Sequence, residues 1–197
     1  MNRKVTKSNI EIFHNNGLFI PTRTIYIGSM REIGENNSEE SGVDFEEAKN
    51  AIKNIHILDS INHKQITIIL NDVGGDEYHG FAIYDALKKA KSPIKIIVYG
   101  QAMSMGSIIL QAGNKRLIMP NSVLMIHDGT AGVNTESKSA ESWGRESKRI
   151  REQMYQIYYS KMKKKRITLK EIEKMCEHDN IITPKRAIKL GLADKII

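Results

Sequence analysis

Residues 94–113 read IKIIVYGQAMSMGSIILQAG, a β-branched apolar run that meets an apolar helical run with a serine at the seam. Ile94 to Gly100 has the chemistry of a short buried strand, and Met105 to Ala112 runs on without a turn signal until Gly113. A strand, a tight turn and a buried helix fit that order. Ser104 at the corner is then either a helix cap or a nucleophile held up at the end of a strand, and the corner alone leaves both readings open.

The same texture extends in both directions. Upstream, RTIYIG (Arg23 to Gly28) and QITIILND (Gln65 to Asp72) predict strands, and Asp44 to Leu58 predicts an amphipathic helix with apolar residues mostly three to four apart. A further helix follows Gly74 and Gly75, with Phe81, Tyr84, Leu87 and Ala90 on one stripe, until Pro93 stops it. Downstream, LIMP and VLMIH predict two short strands on either side of the turn at Pro120. Alternating strands and helices point to an α/β architecture with a largely parallel sheet.

From Thr135 the texture changes. Ser137 to Met162 predicts about seven turns of helix, with Trp143, Ile150, Met154, Ile157 and Tyr158 as apolar markers among dense charge. So long a helix in so small a domain is expected to project in part and to pack against another subunit; the other reading is an ordinary surface helix. Thr168 and Glu171 have the spacing of a capping box, and Pro184 and Gly191 bracket a last short helix before a terminal strand. Residues 1–22 read as an N-terminal arm, flexible or ordered by a partner over its first 17 positions, and residues 23–197 as one domain.

Composition narrows the classes of function. A chain of 197 residues, 40% hydrophobic, supports one substantial core. The formal charge is +7, but 23 acidic residues are interspersed with the basic ones, which argues against a nucleic-acid partner. The densest basic run, Lys161 to Arg166, suits the negative end of a helix dipole, with a partner contact as the alternative. A single cysteine, Cys176, permits no internal disulfide, and no window has the length and apolarity of a signal peptide or membrane span. Cytoplasmic residence, with no membrane partner, is the resulting expectation.

Three reactive side chains stand at element ends: Ser104 after one strand, His127 after another, and Asp179 after the helix that Thr168 begins. A serine hydroxyl becomes a useful nucleophile when an imidazole takes its proton and a carboxylate fixes the imidazole's tautomer. His14, His56, His63 and His79 lie in polar, helical or loop contexts, and His178 is beside Asp179. Spacing alone does not make these three a triad, and a histidine after a strand is commonly a structural residue. Gly74 and Gly75 either make a tight strand-to-helix turn or, with the Met105 amide, turn backbone N–H groups toward a bound carbonyl as an oxyanion hole.

Four separated blocks, NDVGGDEYHGFAIYDALK, GQAMSMGSIILQAG, LIMPNSVLMIH and HDNIITPKRAIKLGLADKI, resemble the proteolytic subunit of the Clp protease, the ClpP-type serine peptidases. The likeness runs from about Arg23 to the C-terminus and preserves the family's block order. It implies a crotonase-like α/β domain with a protruding handle helix, about residues 135–165, assembled into two stacked heptameric rings. It further implies Ser104 as nucleophile, His127 as general base, Asp179 as orienting acid, and Gly75 and Met105 as oxyanion donors. Substrates would be peptides and unfolded polypeptides, fed by an AAA+ unfoldase of the ClpX, ClpA or ClpC kind. The subunit itself would need no cofactor and no metal, ATP being used only by the unfoldase.

The chain departs from the family at several points. It has DVGG at Asp72 to Gly75 where the family has SPGG, Met103 where an alanine is usual, and Asp128-Gly129 where Gln-Pro follows the histidine. Asp128 is thereby a candidate competitor for the imidazole. The polar stretch Arg31 to Gly42 is longer than expected, and the arm does not match the axial-loop segment clearly. Two rival readings remain: a crotonase-like acyl-CoA enzyme, which has no need of a serine, histidine and aspartate set, and a weakly active or inactive ring subunit serving structure or regulation.

Overall fold

The computed structural model describes residues 5–28, 42–129 and 136–197. Apart from Gly42, the polar stretch Arg31 to Gly42 therefore lies outside the described residues, as does Thr135. In chain order the elements are α1 (Lys7–Asn16), β1 (Leu18–Phe19), β2 (Thr24–Gly28), α2 (Phe45–Ile61), β3 (Ile66–Asp72), α3 (Glu77–Lys89), β4 (Ile94–Met103), α4 (Met105–Leu110), β5 (Lys115–Ile118) and β6 (Val123–Ile126). They continue with α5 (Ser137–Met162), α6 (Leu169–Cys176), β7 (Asn180–Ile182), α7 (Pro184–Leu190) and β8 (Lys195–Ile196).

The sheet runs β1-β2-β3-β4-β5-β8, parallel throughout except for the antiparallel β1–β2 pair at one edge. Its centre is apolar because β3 and β4 alternate, with Ile66, Ile68 and Leu70 and then Ile94, Ile96 and Val98 inside. Helices α2 and α3 begin at aspartate caps, Asp44 and Asp76, each side chain accepting the N–H of the third helical residue. The inner face of α2 carries Ala48, Ala51, Ile55 and Leu58. Every residue of α4 is buried, the environment expected of the second half of the opening sequence.

Strand β4 forks the sheet. Lys95 to Val98 pair with β5, whereas Gln101 to Met103 pair with β6. Between the two ladders the pairing with β3 jumps from Leu70↔Val98 to Asp72↔Ala102, so that Tyr99 and Gly100 bulge outward. The strand thus runs past Gly100, where sequence texture suggested it would stop, because β6 supplies hydrogen-bond partners that the local sequence does not reveal. Strand β7, which the sequence reading did not predict, adds antiparallel to β6.

Helix α5 is buried at Ile150, Met154, Tyr155, Ile157, Tyr158 and Met162. Its first turns stand exposed, with Trp143 48% accessible. Within the arm read as flexible or partner-ordered, Lys7–Asn16 forms a helix, since Thr6 and Asn9 make a reciprocal capping box and Gly17 closes it in the left-handed region. The capping box at Thr168 and the Pro184 and Gly191 brackets of α7 occur as expected. Buried Arg116 ties the chain end to the sheet: its guanidinium donates to Gln111 Oε1 (2.7 Å), to the Gly191 carbonyl (2.9 Å) and to Asp194.

Candidate active site

Strand β6 sets the spacing of the site. It lies parallel to β4 with Met103 opposite Met125, and the Ser104 N–H donates to the Met125 carbonyl at 2.9 Å, so the ladder continues to the serine. On its other side β6 runs antiparallel to β7 with Ile126 opposite Asn180, and the next position along puts His127 opposite Asp179. One short strand thus brings three residues together that are 23 and 52 positions apart in the chain.

The side chains meet accordingly. Ser104 Oγ lies 2.9 Å from His127 Nε2, and His127 Nδ1 lies 2.9 Å from Asp179 Oδ1. The imidazole is mostly enclosed, at 20% exposure, whereas the Asp179 carboxylate is 72% exposed. Ser104 itself has φ 48° and ψ −120°, a conformation that L-residues rarely adopt, and its side chain makes no capping bond to α4. Of the two readings left open by the sequence, the cap is therefore excluded: the hydroxyl turns to the histidine.

The two glycines are required by space as well as by backbone angle. At Gly74 (φ +100°) a Cβ would lie 2.4 Å from Ser104 Cβ, and at Gly75 (φ +141°) it would lie 2.3 Å from the Val43 carbonyl oxygen. Gly75 is bridged to Val43, but the bridge uses the N–H groups of Val43 and Asp76. Among the described residues the Gly75 N–H has no partner. The Met105 N–H, first in α4, is likewise outside the helix ladder. Among the described residues the geometry leaves two unused donors on segments that flank Ser104.

Asp128 does not engage the imidazole. Its N–H donates to the Cys176 carbonyl at 2.8 Å, and its Oδ1 accepts from the Tyr155 hydroxyl of α5 at 2.5 Å. Burial, together with this bond, raises the Tyr155 pKa and keeps the phenol the donor. One turn on, buried Tyr158 shares a 2.7 Å hydrogen bond with Ser107, whose hydroxyl also lies 2.7 Å from the Ser104 carbonyl. Burial, the larger effect, pushes the Cys176 thiol up to about 12, with Asp128 adding to it, so this cysteine stays protonated. The sequence reading missed Tyr155 and Ser107; the signal for the first was a pair of tyrosines three apart on the inner stripe of a long helix.

A cavity of about 600 Å³ lies against α6 and β7, lined among others by Ile167, Met175, His178, Asp179 and Leu190. Asp179 lines it, whereas neither Ser104 nor His127 does. Met103 and Met125, paired across β4 and β6, are half-buried. Among the described residues no group of three or more histidine, cysteine, aspartate or glutamate side chains is arranged to hold a metal ion, and no helix is long and apolar enough to cross a membrane.

The family model described as Clp protease matches residues 38–197. The ATP-dependent Clp protease proteolytic subunit of Deinococcus radiodurans is 35% identical over 158 residues, covering 79% of this chain and 76% of that one. Among solved structures, a point mutant of ClpP1 from Listeria monocytogenes superposes with a TM-score of 0.76 at 26% identity, covering 90% of this chain and 92% of that one.

Proposed function

The chain belongs to the Clp protease family of serine peptidases, and we propose that it cleaves peptide bonds through an acyl-enzyme on Ser104. The observation that carries this reading is the unbroken relay from Ser104 Oγ through both ring nitrogens of His127 to Asp179, each link 2.9 Å. His127 Nε2 takes the hydroxyl proton as Oγ attacks the carbonyl carbon. Its Nδ1–H, donating to Asp179, fixes the tautomer and is held as the ring becomes cationic. The developing oxyanion is received by the Gly75 and Met105 N–H groups. The imidazolium then protonates the leaving amine, and water, deprotonated by the same nitrogen, releases the acyl group. An acyl-CoA enzyme has no use for such a relay.

By the same membership, the substrates are peptides and unfolded polypeptides, and the assembly is a pair of stacked heptameric rings in the cytoplasm, served by an AAA+ unfoldase. The exposed outer turns of α5 support the ring contact, since Trp143 presents an apolar surface beyond the domain. The test is hydrolysis of a fluorogenic peptide by parent and Ser104→Ala proteins, with native mass measured in the same buffer. The parent is expected to turn over and the variant to be inert at unchanged mass. Equal fluorophosphonate labelling of both proteins would overturn the assignment.

A further inference from the structure

Asp72 occupies an unusual position for a carboxylate. The alternation of β3 that buries Ile66, Ile68 and Leu70 carries on to Asp72, which is 1% exposed. Its Oδ1 accepts the Gly74 N–H at 2.7 Å, closing a two-residue turn beneath the Gly74–Gly75 peptide. The same side chain abuts the residue after the second donor: a Cβ at Gly106 would lie 2.9 Å from Asp72 Oδ1. One buried group therefore touches the segments that carry both unused N–H groups, on the last turn of the β3 connection and the first turn of α4.

We infer that Asp72 is a positioning residue of the oxyanion hole, its carboxylate oxygen holding the Gly74 N–H so that the adjoining Gly75 N–H is aimed at the substrate oxygen. The inference rests on the peptidase reading given above. Geometry and charge act in opposite directions here. An acceptor oxygen fixes the turn, whereas a full negative charge near a developing oxyanion opposes it. Glu47 on α2 is a second carboxylate within electrostatic reach of Asp72, and burial, with Asp72 and Asp44 adding to it against the bond from the Gly28 N–H, pushes Glu47 up to about 7. What the turn uses is the acceptor oxygen, and the charge on Asp72 is dispensable to it.

That separation makes the test. In the full-length assembly, kcat, KM and the affinity of a peptide aldehyde, whose hemiacetal oxygen sits where the oxyanion forms, are measured for parent, Asp72→Asn and Asp72→Ala. Asp72→Asn keeps an oxygen acceptor and is expected at or somewhat above the parent kcat. Asp72→Ala is expected to lose about tenfold or more in kcat and to weaken the aldehyde by a similar factor, with KM held within about twofold. If Asp72→Ala does not assemble, Asp72→Leu, close in volume and without an acceptor, is read in its place and is expected to lose kcat in the same manner. Parent-like kcat in Asp72→Ala or Asp72→Leu overturns the inference, and so does an Asp72→Asn loss equal to theirs or a change confined to KM. A parent without Ser104-dependent hydrolysis overturns the peptidase reading itself, and the inference with it.

Discussion

Replacing Glu47 by Gln is expected to stabilise the protein at about pH 8 and to do little at about pH 5. The Glu47 carboxylate, on α2, accepts the Gly28 N–H at 3.2 Å. Desolvation by burial, offset in part by that bond and reinforced by the nearby Asp72 and Asp44 carboxylates, moves its pKa from 4.5 up to about 7. The folded chain then binds the proton more tightly than the unfolded one. Well below pH 4.5 both states are protonated; as the pH rises from there, the unfolded chain releases a proton that the folded chain retains, and stability falls until the penalty is complete above about pH 7. At about 1.4 kcal/mol per tenfold in proton affinity, the full penalty is roughly 3 kcal/mol. Glutamine carries no charge at any pH and keeps an oxygen for the Gly28 N–H, although a neutral acceptor binds it more weakly, which leaves a net gain of about 1–2 kcal/mol at pH 8. For a chain of this size that corresponds to a rise in Tm of roughly 2–8 °C. Scanning calorimetry on parent and variant at matched protein concentration reads it directly, since any self-association would couple to stability. A Tm change of the same sign and size at both pH values would refute the reasoning, because it would mean that Glu47 does not titrate differently in the folded chain.

Tyr155→Phe removes the hydroxyl that engages Asp128 and leaves that carboxylate free beside His127, so the acid limb of the kcat/KM profile should move to higher pH as the imidazolium is favoured. Adding Asp128→Asn should move the limb back; a profile identical in parent and Tyr155→Phe would show that the bond does not insulate the base. Arg116→Met strands the Asp194 carboxylate, Gln111 Oε1 and the Gly191 carbonyl, and should lower stability by about 2–4 kcal/mol, read from the urea midpoint. A loss under about 0.5 kcal/mol would show instead that water replaces the guanidinium without penalty.

The legibility of this chain in its sequence follows from the range of the interactions concerned. Strands β3 and β4 are plain because β-branched residues fill a site buried by both neighbours, and α3 because its stripe meets Gly74 and Gly75 at one end and Pro93 at the other. Strand β7 is hidden: Asn180–Ile182 is too short for a period, and Ile181 is 61% exposed, so only its pairing with β6 makes it a strand. Helix α1 departs from the expectation of a flexible arm because its caps, signalled by Thr6 and Gly17, are joined by the packing of Ile12 on the core and of Phe13 on Phe19, which the local sequence does not show. Ser104, His127 and Asp179 can each be picked out as an element end, but their convergence depends on the excursion through α5 and α6 returning along β6, a fact of topology. Asp128 is the clearest departure: proximity in sequence suggests competition for the imidazole, whereas α5 supplies it with a phenol.

The fork in β4 has an evolutionary corollary. Because the distance from hydroxyl to imidazole is measured out along the β4–β6 ladder, the segment from Gly113 to Ser122 that leaves and rejoins it is not part of the measurement. Insertions or deletions there would instead disturb β5 and the Arg116 anchor, a cost in stability rather than in that distance. A single-residue slip between Met103 and Met125, by contrast, would turn His127 to the opposite face and separate the pair at once. Selection for activity should therefore fall on the alignment of the two short strands, and selection for stability on β5 and Arg116 between them.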